Sequence, residues 1–203
     1  MIRRLLLTLT LMAPMLALAP AALAGSPPPV TAADRVLGRA DAPVTVVEYA
    51  SFVCSHCANW HLNVLPEFKT RFIDTGKVRL VFRDLPTEPA QIAASAAAVA
   101  RCAAPERYFD VAGALMHGQA ALRAGGDMAD WYGAAIAVSS KTRPEIEACL
   151  AMPATRENLQ ASMEGATAAG VTGTPSFFVN GEAVADSSLA GLTAAITPLL
   201  PAH

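Results

Sequence analysis

The sequence predicts an α/β fold in which one mixed sheet is interrupted by an inserted, all-helical block. Three observations carry that reading. Residues 44–82 run strand, helix, strand; no strand signal follows until about residue 170; and a strand then returns at Ser176–Val179 with Asn180-Gly181 behind it. One sheet with a helical insertion accounts for all three.

The first element is a leader. Met1-Ile2-Arg3-Arg4 is a short basic head, the run from Leu5 to Pro20 is apolar, and Ala22-Leu23-Ala24 is a small-x-small cleavage site. That is the layout of a secretory signal peptide over residues 1–24. Pro14, Pro20 and the Ala-Leu-Ala site favour cleavage over a membrane anchor, for which the apolar run is near the shortest spanning length. Cleavage leaves residues 25–203, enough for one domain with an insertion. Of the charged residues, 13 basic and 17 acidic ones then remain. With no basic patch to neutralise phosphates, nucleic acid is not an expected partner. Export to the periplasm implies an oxidising compartment in which disulfides persist, and the four cysteines are read in that light.

Residues 25–34, with Pro27, Pro28 and Pro29, form a flexible, extended leader into the fold. The sheet domain's first part follows over residues 35–86. Val44 to Tyr49 is mostly apolar and rich in β-branched residues, as a strand buried on both faces requires. From Ser55 the period changes: His61, Val64, Leu65, Phe68 and Phe72 fall at helical spacing, Pro66 kinks or divides the helix, and Gly76 stops it. Val78 to Phe82 reads as a second strand, parallel to the first in a βαβ unit. The insertion, residues 87–169, is alanine-dense. Helices are expected over Ala90–Ala103, Glu106–Gly118, Asp127–Val138, Pro144–Met152 and Ala154–Ala169. Residues 170–203 complete the sheet: a strand at Ser176–Val179, an Asn-Gly hairpin turn, a partner strand over Glu182–Ala185, and a last helix capped by Ser187.

The chemistry sits in "VVEYASFVCSHC", where Cys54 and Cys57 flank Ser55 and His56 just past the first strand. A thiol at a helix N-terminus faces unpaired backbone N–H groups and the positive end of the helix dipole. A protonated His56 adds a second favourable charge. Both stabilise a thiolate, placing Cys54 in the window of about 3.5–7.5 found for such cysteines. A stable thiolate favours the reduced pair, which makes the disulfide an oxidant. Cys57, one turn into the helix, is shielded. Competing readings are weaker. So short a loop gives a structural crosslink little entropic leverage. A structural zinc site needs four ligands. Covalent haem attachment needs histidine directly after the second cysteine, and Ala58 stands there.

Three segments, "VVEYASFVCSHC", "LVFRDLP" and "GVTGTPSFFVNG", resemble the DsbA family of bacterial thiol–disulfide oxidoreductases, in the family's order and from about Arg35 to Leu199. The resemblance implies a thioredoxin-like fold with an inserted helical domain. It implies that Cys54 is the nucleophile and Cys57 the resolving thiol. Glu48 stands where the family keeps a buried acid; burial disfavours the charged form of a carboxylate, which suits a proton shuttle for Cys57. Thr174-Pro175 matches the loop that packs against the active-site disulfide through a cis peptide, where Thr174 pairs with an extended substrate strand. Ser55 departs from the pattern, because the best-known members carry proline there; His56 is retained.

The same resemblance implies reduced, unfolded exported proteins as substrates, a quinone-linked membrane oxidase as the partner that restores the disulfide, and no metal or organic cofactor. The resembling isomerases carry a separate dimerisation domain that residues 25–40 are too short to supply, so a monomer is expected. A reductase or isomerase of the same fold is the nearest alternative. A carrier using Cys54 and Cys57 as soft metal ligands is the alternative of a different class. Four cysteines allow three pairings. Local chemistry favours Cys54–Cys57 and leaves Cys102–Cys149 as a long structural bridge, with a second redox relay as its functional alternative. Trp60, Met116, Met128 and Trp131 are candidates for an apolar groove, though core packing is the commoner use. His61, His117 and His203 show no ligand spacing and carry no assigned role.

Overall fold

The computed structural model describes residues 25–201, so the expected leader over residues 1–24 lies outside the described residues. Five strands form one sheet: β1 (Arg35–Leu37), β2 (Val44–Ala50), β3 (Val78–Asp84), β4 (Ser176–Val179) and β5 (Glu182–Val184). Their spatial order is β1-β3-β2-β4-β5. Only β2 and β3 run parallel, with Glu48 opposite Phe82; the other neighbours are antiparallel. The parallel pair is the one joined through a helix, as the βαβ reading requires. Both strands are buried nearly throughout, which explains their apolar runs.

That helix is divided. Ser55–Asn63 forms α1 and Leu65–Phe68 forms α2, followed by a π-helical turn over Lys69–Ile73. The break falls at Val64, immediately before Leu65-Pro66. Proline is tolerated in the first turn of α2, where its missing N–H is needed least. At the hairpin, Asn180 (φ 47°) and Gly181 (φ 92°) both occupy the left-handed region. Two-residue turns of this kind match strand twist, and Asn-Gly is the pair that enters them most cheaply.

The insertion contains α3 (Ala90–Arg101), α4 (Tyr108–Arg123), α5 (Met128–Ala137), α6 (Arg143–Leu150) and α7 (Pro153–Ala168). Helix α4 runs five residues past its expected end at Gly118. That glycine is no stop: a Cβ there would meet Trp131 Cδ1 at 2.6 Å, so it lets α5 lie close. The last helix, α8 (Leu189–Ile196), is capped by Ser188, whose Oγ accepts from the Gly191 N–H, and not by Ser187. The Asp186 carboxylate accepts from the Ser188 N–H and sets the entry one residue later. β1 was not expected. Its three residues show no alternation, and it becomes a strand only by pairing with β3.

Alternation along β2 sorts the core. Val44 and Val46 face Trp60, Phe68, Leu192 and Ile196, whereas Val47 and Tyr49 face Ala166 and Ala169 at the end of α7. A third cluster joins the end of the sheet and α1 to the insertion, through Phe52, Cys57, Phe82, Tyr108, Leu115 and Met116 among others. Two buried ion pairs tie the layers. Arg101 Nε donates to Asp84 Oδ2 at 2.6 Å, and Arg83 Nε to Asp34 Oδ1 at 2.7 Å. Arg83 also donates to the Pro28 and Pro29 carbonyls, which holds the proline-rich leader against the sheet. No helix among the described residues is long and apolar enough to cross a membrane.

Candidate active site

β2 ends at Ala50, and three buried residues, Ser51, Phe52 and Val53, carry the chain to Cys54. Cys54 is the N-cap of α1, with extended backbone (φ −81°, ψ 119°) and no capping hydrogen bond from its own side chain. Its sulfur therefore stands beside the free N–H groups of the first turn. The turn is held from both sides. The Ser51 hydroxyl accepts from Val53 N and Thr87 N. From α4, Gln119 Nε2 donates to the carbonyls of Phe52 (2.9 Å) and Cys54 (3.1 Å), and Arg123 Nη2 donates to that of Val53 (3.0 Å). The insertion thus grips the backbone that presents Cys54.

Both active-site cysteines are free thiols in this structure, Cys54 partly exposed and Cys57 buried. They are displaced in opposite directions. Cys54 is lowered to about 5, chiefly by the hydrogen bond from the Cys57 thiol, against burial, with help from the Thr174 side chain and the N–H groups of Cys57 and His56. The Thr174 carbonyl, 3.2 Å from Sγ, works the other way, because it accepts from a thiol and repels a thiolate. The donors outweigh it. Cys57 is pushed up by that same bond to Cys54, by burial, and by the charge of Glu48.

Ser55 and His56 open α1 and are both exposed. His56 reaches the Cys54 sulfur through its backbone N–H. The Ser55 hydroxyl makes no hydrogen bond among the described residues. Thr174 and Pro175 are joined by a cis peptide and lie across from Cys54. Glu48, wholly buried on β2, does not face water at a strand edge. Both its oxygens lie 3.1 Å from His61 Nε2. His61, to which the sequence assigns no role, is thus in contact with Glu48. The signal was present: His61 stands four residues after Cys57, on the same stripe of α1. Gln119 and Arg123, one turn apart on α4, were also missed. Trp60, Met116 and Trp131 are buried core side chains, while Met128 is exposed.

Cys102 and Cys149 form a disulfide between the end of α3 and α6, with Cα atoms 5.7 Å apart. Among the described residues, no three His, Cys, Asp or Glu side chains converge as metal ligands.

The thioredoxin family model "Thioredoxin" matches residues 31–197. The chain belongs to the thioredoxin family. Among curated relatives of this thioredoxin-family chain, the "Putative protein-disulfide oxidoreductase" of Rickettsia bellii is 32% identical over 168 residues, covering 80% of this chain and 63% of that one. The chain therefore spans less than two thirds of that relative. Among solved structures, Wolbachia pipientis alpha-DsbA1 is 26% identical with a TM-score of 0.73, over 84% of this chain and 92% of that one. BdbD from Bacillus subtilis, in its oxidised form, is 21% identical with a TM-score of 0.74, over 87% and 96%. The thioredoxin-like fold with a helical insertion is common to all three structures.

Proposed function

We propose that this thioredoxin-family chain is an exported thiol–disulfide oxidoreductase that introduces disulfide bonds into reduced, unfolded proteins by donating a Cys54–Cys57 disulfide. One observation carries the reading: the two thiols are displaced in opposite directions, with Cys54 at about 5 and Cys57 raised. A reduced pair in which one sulfur is comfortable as a thiolate is a favourable product, so the disulfide gives up its bond readily. The relatives' printed names support the same class of chemistry.

In the first step a substrate thiolate attacks Cys54 Sγ. The Cys54–Cys57 bond breaks, and Cys57 leaves as a thiolate that takes a proton, with Glu48 beneath it as the source. Ser55, His56 and the α1 N-terminus hold Cys54, and Thr174-Pro175 receives the substrate backbone. In the second step another substrate thiolate attacks the substrate sulfur of the mixed disulfide, and Cys54 leaves as a thiolate. Two substrate thiols are oxidised to a disulfide, and the enzyme's disulfide is reduced to a thiolate and a thiol. A quinone-linked membrane oxidase in the periplasm restores it. The Cys102–Cys149 bridge is structural, the working unit is a monomer, and no cofactor takes part.

The test is equilibration with glutathione, together with transfer of the disulfide from the oxidised protein to a reduced, unfolded substrate. Transfer and a potential well above that of thioredoxin, about −270 mV, are expected. A potential near that value turns the reading to a reductase. Purification with metal-blocked thiols turns it to a carrier.

A further inference from the structure

The proposed reaction delivers a proton to Cys57, which is wholly buried. Glu48, whose charge acts on Cys57, is itself wholly buried and has no surface of its own through which to exchange with water. A carboxyl that gives up a proton at each turnover must recover it. Among the described residues its one side-chain hydrogen-bond partner is His61, whose Nε2 is equidistant from both carboxylate oxygens at 3.1 Å. The imidazole is packed edge-on against Trp60 and Phe82, which holds the ring in place. Beyond it lies a cavity of about 220 Å³, lined by His61 with Leu65, Met116, Lys69, Asp110 and His117. Asp110 and His117 are exposed, so the cavity reaches solvent. Glu48, which acts on Cys57, is thus in direct contact with His61, and His61 stands at the wall of a water-accessible cavity.

We propose that His61 is a positioning residue that links Glu48 to solvent, holding the carboxyl beneath Cys57 and replacing the proton it gives up. When Cys57 leaves as a thiolate, the Glu48 carboxyl protonates it. His61 returns a proton from Nε2 to Glu48 and recovers one from cavity water. Reoxidation runs the same path outward. The charged and titratable groups around His61 are Glu48 from β2, Lys69 from the π turn, and Asp110 and His117 from α4. Lys69 and Asp110 are each engaged in a surface ion pair, with Asp74 and Arg107. Of these groups, His61 is the one hydrogen-bonded to Glu48 that also borders the cavity.

This relay rests on the oxidoreductase reading, and the experiment separates the two. The oxidised wild-type protein and its His61→Gln variant are reduced by a thiol peptide in rapid mixing across pH 5–9. Glutamine can hold Glu48 but cannot titrate. Expected are retained folding, an unchanged Cys54 titration, and a rate of Cys57 release that falls about tenfold near neutral pH, within the range general acid–base groups supply. Added imidazole should restore it. A variant with the wild-type pH–rate profile overturns the relay and leaves the oxidoreductase intact. A wild type that exchanges no disulfide overturns the oxidoreductase reading, and the relay with it. Should the variant fail to fold, NMR titration of the His61 ring in the wild type decides. A ring whose titration differs between the disulfide and dithiol forms supports the relay, and one that titrates identically in both overturns it.

Discussion

The sulfur of Cys54 and the carbonyl oxygen of Thr174 stand 3.2 Å apart, although 120 residues separate them in the chain. The contact joins the two parts of the sheet domain that the helical insertion divides. It also sets one of two opposing demands on Cys54. A carbonyl acceptor favours the thiol, whereas the Cys57 thiol and the N–H groups of His56 and Cys57 favour the thiolate. Any change that removes a donor while leaving the carbonyl in place should shift the balance toward the thiol.

Cys54 should therefore titrate near pH 5, followed by thiolate absorbance in the reduced protein. In Cys57→Ala the largest stabilising contact is gone, and the midpoint should move up toward the ordinary cysteine value of about 8.5. A wild-type midpoint already near that value would remove the asymmetry on which the proposed oxidant depends.

The same displacement makes the stability of the reduced form depend on pH. A group whose pKa is lower folded than unfolded stabilises the fold above its unfolded value, and loses that contribution as pH falls through the folded one. For Cys54 the window runs from about 8.5 down to about 5. Across it the dithiol form should gain stability with rising pH, by less than ~1.4 kcal/mol per pH unit because Cys54 is partly solvated. Cys57, raised in the fold, contributes a constant amount there and declines only above about pH 8.5. Neither sulfur titrates in the Cys54–Cys57 disulfide form. The difference between the urea midpoints of the two forms, measured from pH 5 to 8.5, isolates the effect. A difference that does not change with pH contradicts it.

Gln119 satisfies two carbonyls of the turn before α1, those of Phe52 and Cys54, from a helix 67 and 65 residues away. Gln119→Leu keeps the bulk and leaves both acceptors without that donor, a change that costs about 1–3 kcal/mol per buried group. The turn that aims the N–H groups at Cys54 should loosen as well. Thermal unfolding should show the loss, and the Cys54 midpoint should rise. A stability loss with no change in that midpoint would mean that Gln119 supports the fold and not the thiolate.

Where the physics was local, the sequence was readable. Cys54 at a strand–helix junction, the helix break before Pro66, and the turn at Asn180-Gly181 each depend on neighbouring residues. What stayed hidden depends on distant partners. Arg35–Leu37 is a strand only because β3 lies beside it. Gly118 reads as a helix stop until Trp131 is placed against it. His61 reads as an ordinary helix residue until the rotation of α1 brings it over Glu48, and Gln119 and Arg123 acquire meaning only when α4 docks on the active-site turn. The family resemblance pointed to Cys54, Glu48 and the Thr174-Pro175 loop, but held nothing about the residues that brace them.

The Cys102–Cys149 bridge offers a test of division of labour within the fold. It closes a loop of 47 residues and ties the end of α3 to α6. Constraining an unfolded loop of that length gives about 4 kcal/mol by the chain-entropy argument. Among the described residues its sulfurs' hydrogen-bond contacts are to the Thr155 hydroxyl. A double Cys102→Ala, Cys149→Ala variant should therefore unfold at a markedly lower temperature, with disulfide transfer by Cys54 unchanged at temperatures where it stays folded. If the second pair instead passes electrons to or from the first, the variant will keep its stability and lose turnover or shift its potential. Calorimetry and the glutathione equilibrium, run on the same preparation, tell a strut from a relay.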